Sequence, residues 1–207
     1  LDLWAREQGL SLPPRNLLTQ VSTRLVNSGR LALYSDVAVD SLPPGLEIAE
    51  TSSIADVVVS PSTNFPSDTV SFRPRNLVVG VGCNRGTPVA EFEEALDELL
   101  NDLHLSRNSI RNLASIDKKN DETGLLQFGH NNKWSIDFFT KEAINTLNNL
   151  EISFAALKAV GAIGVAEPTS LLSAKSSILL SRKRKWKNIT MAIAQAPFTL
   201  SAQAPVQ

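Results

Sequence analysis

Residues 77–103 read LVVGVGCNRGTPVAEFEEALDELLNDL, an apolar run of strand length, a glycine-rich turn, and an amphipathic stretch that leaves it. The spacing predicts a strand over 76–82 and a helix over 88–103, with Phe92, Leu96, Leu99 and Leu103 on one face. Thr87 suits the cap and Pro88 the first turn of that helix, and acids at 91, 93 and 94 favour its amino-terminal half. A turn of this kind places backbone N–H groups at the positive end of a helix, where a carboxylate or phosphate is stabilised. Arg85 adds a planar cation at the same spot. Gly80, Gly82 and Gly86 stand in a G-x-G-x-x-x-G spacing, one residue longer than the dinucleotide fingerprint, and the Lys-Ser/Thr pair of a P-loop is missing. Anion binding of no particular class is as far as the turn alone leads.

Outward from this stretch, strand and helix patterns alternate. A strand is expected near 113–116, a helix from about 121, a strand at 136–139, a short helix at 141–147 and another at 165–174. Strands at 178–180 and 189–194 follow, joined by a charged turn. Such alternation implies an α/β domain over 75–196, an open, mostly parallel or mixed sheet with helices on its faces. Residues 1–28 read as two helices broken at Pro13-Pro14, followed by short strands at 31–34 and 55–59 separated by a loop over 40–53. The Pro- and Ser-rich stretch 60–74 reads as a linker, so 1–74 is a smaller α/β region and 197–207 a flexible tail.

Net charge is −1, divided into −3 over residues 1–74 and +2 over the remainder, and neither half has the basic excess of a nucleic-acid-binding domain. No stretch approaches a membrane span, and no signal peptide opens the chain. The single cysteine, Cys83, excludes an internal disulfide framework and fits a cytoplasmic setting. The chain opens on leucine and reads as a fragment.

Four groups carry candidate chemistry. The turn at 82–87 is expected to face a ligand, because ligands of open sheets gather at the carboxyl ends of strands; the competing reading is a tight connection whose glycines relieve strain. Cys83 lies near a helix N-terminus and Arg85, conditions that lower a thiol pKa, although a lone cysteine is more often a small buried hydrophobe. In ASIDKKNDETGL (114–125), Asp117, Lys118, Lys119, Asp121 and Glu122 crowd a strand-to-helix turn. A carboxylate beside a lysine can move protons if both are buried, yet surface ion pairs are the plainer reading. In GVAEPTSLLSA (164–174), Glu167 falls at a helix start, where the dipole alone explains an acid. RKRKWK (182–187) is a solvated turn or a clamp for a polycarboxylate, which fits the other groups better than nucleic acid. His104 and His130 are isolated and lack metal-ligand spacing, and the Asn188-Ile189-Thr190 sequon is coincidental in a cytoplasmic strand.

Taken in order, GVGCNRGT, SIDKKNDETGL, GVAEPTSLLSA and the basic run before ITMAIA resemble the CbiG family of cobalamin biosynthesis, the cobalt-precorrin-5A hydrolases, and the shorter CobE relatives. LDLWAREQGL at the start resembles the central region of CbiG and favours CbiG over CobE. The resemblance implies an enzyme that opens the δ-lactone of cobalt-precorrin-5A and releases a two-carbon unit as acetaldehyde, giving cobalt-precorrin-5B. It implies a cobalt-corrinoid ligand whose metal arrives with the substrate, so that no cofactor is expected, and it leaves room for other enzymes of the corrin pathway as partners. The motif positions that carry over are Gly80, Gly82, Cys83, Arg85, Gly86, Thr87, Asp117, Lys119, Glu122, Gly124, Gly164, Glu167 and the run from Arg182. Lys119 and Glu122 are the expected catalytic pair, and Gly82, Cys83, Arg85, Gly86, Thr87 and Glu167 the expected substrate-binding set. Full-length members of the family also carry an amino-terminal domain with a Gly-His-Gly-Gly-Asn run, ahead of the region seen here. A chain lacking it is expected to bind substrate and turn it over poorly, which leaves a non-catalytic corrinoid carrier as the alternative.

Overall fold

A computed structural model of the chain describes residues 1–147 and 154–203. The chain divides into two compact units, one formed by Leu1–Arg75 with His104–Ser109 and the segment from Phe198, the other by Asn76–Leu103 with Ile110–Pro197.

In the first unit, α1 (Asp2–Glu7) leads through β1 (Leu10–Ser11) to α2 (Arg15–Ser28), which ends at Gly29 in the left-handed region (φ 73°). Strands β2 (Leu31–Ser35), β3 (Ala38–Val39), β4 (Leu46–Ile48), β5 (Val57–Val59) and β6 (Ser71–Pro74) follow. The main sheet has the order β1-β6-β5-β2-β4, parallel except for β1. The expected loop over 40–53 therefore contains a strand, β4, parallel to β2. The expected linker ends in another: β6 pairs with β5, and Phe72 is fully buried between its neighbours. Alternation of Ser71, Phe72, Arg73 and Pro74 between half-buried and buried positions is what a prolines-first reading overlooks.

Two further segments join this unit by backbone pairing. The Ser106 N–H donates to the Pro61 carbonyl at 2.7 Å and the Thr63 N–H to the His104 carbonyl at 2.7 Å, so 104–109 lies with the first unit. The tail is likewise no frayed end over its described part. Strand Thr199–Leu200 runs parallel to β3, Leu200 is fully buried, and Trp4 Nε1 donates to the Ser201 carbonyl at 2.8 Å. Leu200 joins the core cluster that includes Trp4, Leu33 and Phe72, and that burial overrides the polar composition around it. Residues 204–207 lie outside the described residues.

The second unit contains β7 (Leu77–Cys83), α3 (Val89–Asp102), β8 (Ile110–Ile116), α4 (Thr123–Asn132), β9 (Ile136–Phe139), α5 (Lys141–Asn145), α6 (Phe154–Val160), α7 (Ala166–Ala174), β10 (Leu179–Lys185) and β11 (Ile189–Gln195). Its sheet, among the described residues, has the order β10-β11-β7-β8-β9. β7, β8 and β9 are parallel, while β11 returns antiparallel to β7 and carries β10 as an antiparallel edge. The sheet is thus mixed. β7 lies at its centre, buried from Leu77 to Val81, as its unbroken apolar run requires.

α3 and α4 pack together, with Phe92 stacked on Phe128 at 5.5 Å between ring centroids and Trp134 edge-on to Phe128 at 5.8 Å. α3 buries Phe92, Ala95, Leu96, Leu99 and Leu100, close to the face expected from its spacing. α7 packs on β7, β11 and β8, and its approach to β7 depends on Gly80. A Cβ at Gly80 would stand 1.8 Å from the Ala166 carbonyl oxygen, so only glycine lets the helix backbone come this close.

Candidate functional site

The carboxyl ends of β7 and β8 open onto a cavity of about 520 Å³ in the second unit. Gly82, Cys83 and Asn84 border it from β7, Ile116 and Lys119 from the end of β8, and Glu167 from the first turn of α7. An apolar wall comes from Ala156, Ala159 and Val160 of α6 with Ile163, Val165 and Pro168. The facing side is the hairpin of β10 and β11, with Lys183, Lys185, Trp186, Lys187 and Asn188. A pocket with one apolar wall and several ammonium groups on its border suits a ligand with an apolar body and several anionic arms.

The hairpin departs from the sequence expectation. The charged run was expected to be a turn between strands, whereas β10 continues through it to Lys185. Strand alternation then sorts the run by face. Arg184 reaches Asp102 of α3 at 2.7 Å and Trp186 Nε1 donates to Glu98 at 2.9 Å. Lys183, Lys185 and Lys187 border the cavity, as does part of Trp186 just beyond the end of β10. Clustered charge looks like a turn in one dimension, and here most of the run is the end of a strand.

Glu167 is buried, and its Oε1 accepts the Lys183 backbone N–H at 2.7 Å. It therefore ties α7 to β10 instead of capping its own helix, where the N-cap Val165 makes no side-chain bond. Thr87 also has another task than the expected cap. Its Oγ1 donates to the Asn84 carbonyl at 2.9 Å, and Pro88 occupies the cap position of α3.

Two amides of the glycine turn are already taken. The Asn84 N–H donates to the Asn188 carbonyl at 2.9 Å, and the Gly86 N–H to Glu122 Oε1 at 2.8 Å. Gly86 has φ 74°, which aims this amide at the carboxylate and explains the glycine there. Arg85 is similarly committed: it donates to Asp121 at 2.6 Å and to the Lys118 carbonyl at 3.0 Å. Arg85, Gly86, Thr87 and Glu122 border a separate, shallower depression at the starts of α3 and α4, together with Gly124. The expected site residues thus divide. Gly82, Cys83, Lys119 and Glu167 share the cavity, and Arg85, Gly86, Thr87 and Glu122 brace the loops beside it.

One contact joins the two groups. Lys119 Nζ lies 3.8 Å from Glu122 Oε2, with the lysine side chain 12% and the glutamate side chain 4% exposed. Cys83 is governed by burial, which pushes its thiol up to about 11 against the smaller opposing pull of Lys119. The expected lowering by Arg85 and the helix start is overridden, so Cys83 is a neutral thiol near neutral pH. Sequence reasoning did not single out the apolar wall from Ala156 to Val165, because its small residues carry no chemical signal.

Residues 77–194 match the family model for the C-terminus of cobalamin synthesis protein G, and residues 1–74 match the model for the cobalamin biosynthesis central region. The chain belongs to the CbiG family. It is 34% identical over 129 residues to a cobalt-precorrin-5A hydrolase of Priestia megaterium, covering 62% of this chain and 34% of that one. It is 31% identical over 137 residues to Protein CobE of a Sinorhizobium species, covering 63% of this chain and 86% of that one. The crystal structure of a CobE from the cobalamin biosynthetic pathway superposes with a TM-score of 0.55 at 29% identity, over 60% of this chain and 93% of that one. This CbiG-family chain thus spans about a third of the length of the hydrolase it matches. Among its described residues no helix is long and apolar enough to cross a membrane.

Proposed function

We propose that the second unit is the corrinoid-handling part of a cobalt-precorrin-5A hydrolase, which opens the substrate's δ-lactone and releases acetaldehyde to give cobalt-precorrin-5B. The observation that carries this reading is the presence of a nearly buried lysine, Lys119, and a buried carboxylate, Glu167, on the wall of one apolar cavity. Cobalt belongs to the substrate in this reading, and the reaction needs no resident metal or cofactor. A cytoplasmic location and contacts with other corrin-pathway enzymes belong to the same proposal.

The chemistry has two parts. Water adds to the lactone carbonyl carbon and the ring C–O bond breaks, leaving a carboxylate and a hydroxyethyl arm. Loss of the hydroxyl proton then lets the carbon–carbon bond break. Acetaldehyde departs, and the bonding pair remains on the macrocycle, which takes up a proton. In this reading Lys119 supplies the positive charge that stabilises negative charge on the lactone oxygens. Glu167 can accept the hydroxyl proton and return one to the macrocycle carbon, a neutral shuttle for a single carboxylate. Glu122, expected to be catalytic together with Lys119, borders the depression beside the cavity and in this reading holds Lys119 and the Gly86 amide.

The test is single-turnover release of acetaldehyde from cobalt-precorrin-5A under anaerobic conditions. It is run on this chain alone and on this chain joined to the amino-terminal segment of the Priestia megaterium relative. Acetaldehyde from the joined form supports the hydrolase reading. Tight corrinoid binding with no acetaldehyde from either form favours a carrier, the reading suggested by the 86% of Protein CobE that the chain matches.

A further inference from the structure

The face-sorting of 182–187 has a consequence for how a ligand would lie in the cavity. Arg184 and Trp186 are held against α3 by Asp102 and Glu98. The residues alternating with them, Lys183 and Lys185, stand about 7 Å apart along one face of β10, two strand residues, and Lys187 continues the row at the hairpin tip. Lys185 and Lys187 make no ion pair among the described residues, so their charge remains available to a ligand. Lys183 is positioned at its backbone by Glu167. Elsewhere on the lining, Ala156, Ala159, Val160, Ile163 and Val165 offer no charge and no side-chain donor.

We infer that the cavity reads one edge of its ligand: a row of carboxylates about 7 Å apart meets Lys183, Lys185 and Lys187, and an apolar macrocycle face lies on the wall of α6 and the approach to α7. This rests on the corrinoid reading of the same cavity and adds to it an orientation. The ion-paired anchors matter because they prevent the strand from rotating its lysines away. A strand slipped by one residue would exchange the two faces and bring Arg184 to the cavity.

The experiment uses stable metal-free porphyrins as probes: uroporphyrin with eight carboxylates, coproporphyrin with four and mesoporphyrin with two. Each is titrated into the whole chain and followed by fluorescence, with the fold checked by circular dichroism. Affinity is expected to rise with carboxylate number. Lys185→Gln and Lys187→Gln should each weaken uroporphyrin binding roughly five- to tenfold, the scale of an exposed charge-assisted contact, and mesoporphyrin binding less. Arg182→Gln removes the same charge from an exposed residue off the cavity wall and should change affinity less than about twofold. If Arg182→Gln and Lys185→Gln weaken binding equally, net charge and not the lysine row is responsible, and the inference falls while the corrinoid reading stands. If no porphyrin binds the unaltered chain, both fall together.

Discussion

The Gly86 amide donates to Glu122 Oε1 across 2.8 Å, so a carboxylate at the start of α4 holds the glycine turn that precedes α3. The other oxygen of the same carboxylate lies 3.8 Å from the Lys119 ammonium and 4.0 Å from Arg85. One buried anion thereby satisfies a loop amide and balances the lysine of the cavity. Removing it leaves the Gly86 amide to water and, at greater cost, a nearly buried ammonium without its counter-charge.

Glu122→Ala is therefore expected to destabilise the chain by about 3–5 kcal/mol, and Glu122→Gln, which can still accept from Gly86, by about 1–3 kcal/mol. Urea unfolding measures both. A double-mutant cycle with Lys119→Met should return a coupling of about 1 kcal/mol or more. A coupling near zero would remove the ion pair from the account of the site.

Glu167→Gln separates structure from chemistry, because an amide oxygen can still accept the Lys183 N–H but cannot take a proton. Corrinoid affinity and thermal stability should stay close to those of the unaltered chain. Single-turnover acetaldehyde release in the joined form should fall by about 10²–10⁴, the range for a general acid–base group. Normal turnover in the variant would return the proton transfer to another group.

Cys83 should behave as a protected thiol. Burial raises its pKa from 9.0 to about 11, so alkylation by iodoacetamide at neutral pH should be slow and should accelerate as pH approaches that value. The linkage has a definite sign. Below pH 9 both folded and unfolded chains carry the thiol, and between 9 and about 11 only the unfolded chain readily loses the proton. Stability contributed by the neutral thiol is thus complete below pH 9 and declines as pH rises to about 11. Cys83→Ser should abolish that decline and retain turnover within about tenfold, equal to ~1.4 kcal/mol of transition-state stabilisation. A loss of a thousandfold would mean that the thiol is a nucleophile after all.

Arg85→Ala should leave corrinoid affinity within about threefold and cost less than about 1 kcal/mol of stability, since its pair with Asp121 has both side chains more than half exposed. Isothermal titration and urea unfolding on the same preparation decide this. A loss of affinity of a hundredfold with an intact fold would bring the glycine turn back into the site.

Gly80→Ala tests the central packing. The added methyl would meet the Ala166 carbonyl at 1.8 Å, a backbone atom that can move only with α7. We expect a destabilisation of about 3 kcal/mol or more, at the upper end for overpacking, read as a fall in Tm. Ligand affinity should drop as well, because Ala166, Glu167 and Pro168 all border the cavity.

Much of the second unit is determined by local pattern. The run from Leu77 to Val81 can be little but a buried strand, the spacing of Phe92, Leu96 and Leu99 makes an amphipathic helix, and Ile136–Phe139 forms the strand expected from its apolar content. The four motifs that carry the family resemblance are also read directly from the residues. Local pattern could not show partners distant in the chain. Leu200 is buried and its strand pairs with β3, and Phe72 is buried where prolines suggest a linker, because what each residue gains depends on a surface supplied from elsewhere. The same holds for the site. Arg85 and Glu122 look like ligand groups until Asp121 and the Gly86 amide are seen to occupy them, and the lysines of β10 look like a solvated turn until Asp102 and Glu98 take the residues between them. Sequence names the charges, but only the folded chain decides which of them already have partners, since burial and pairing are properties of the space around a group and not of the group itself.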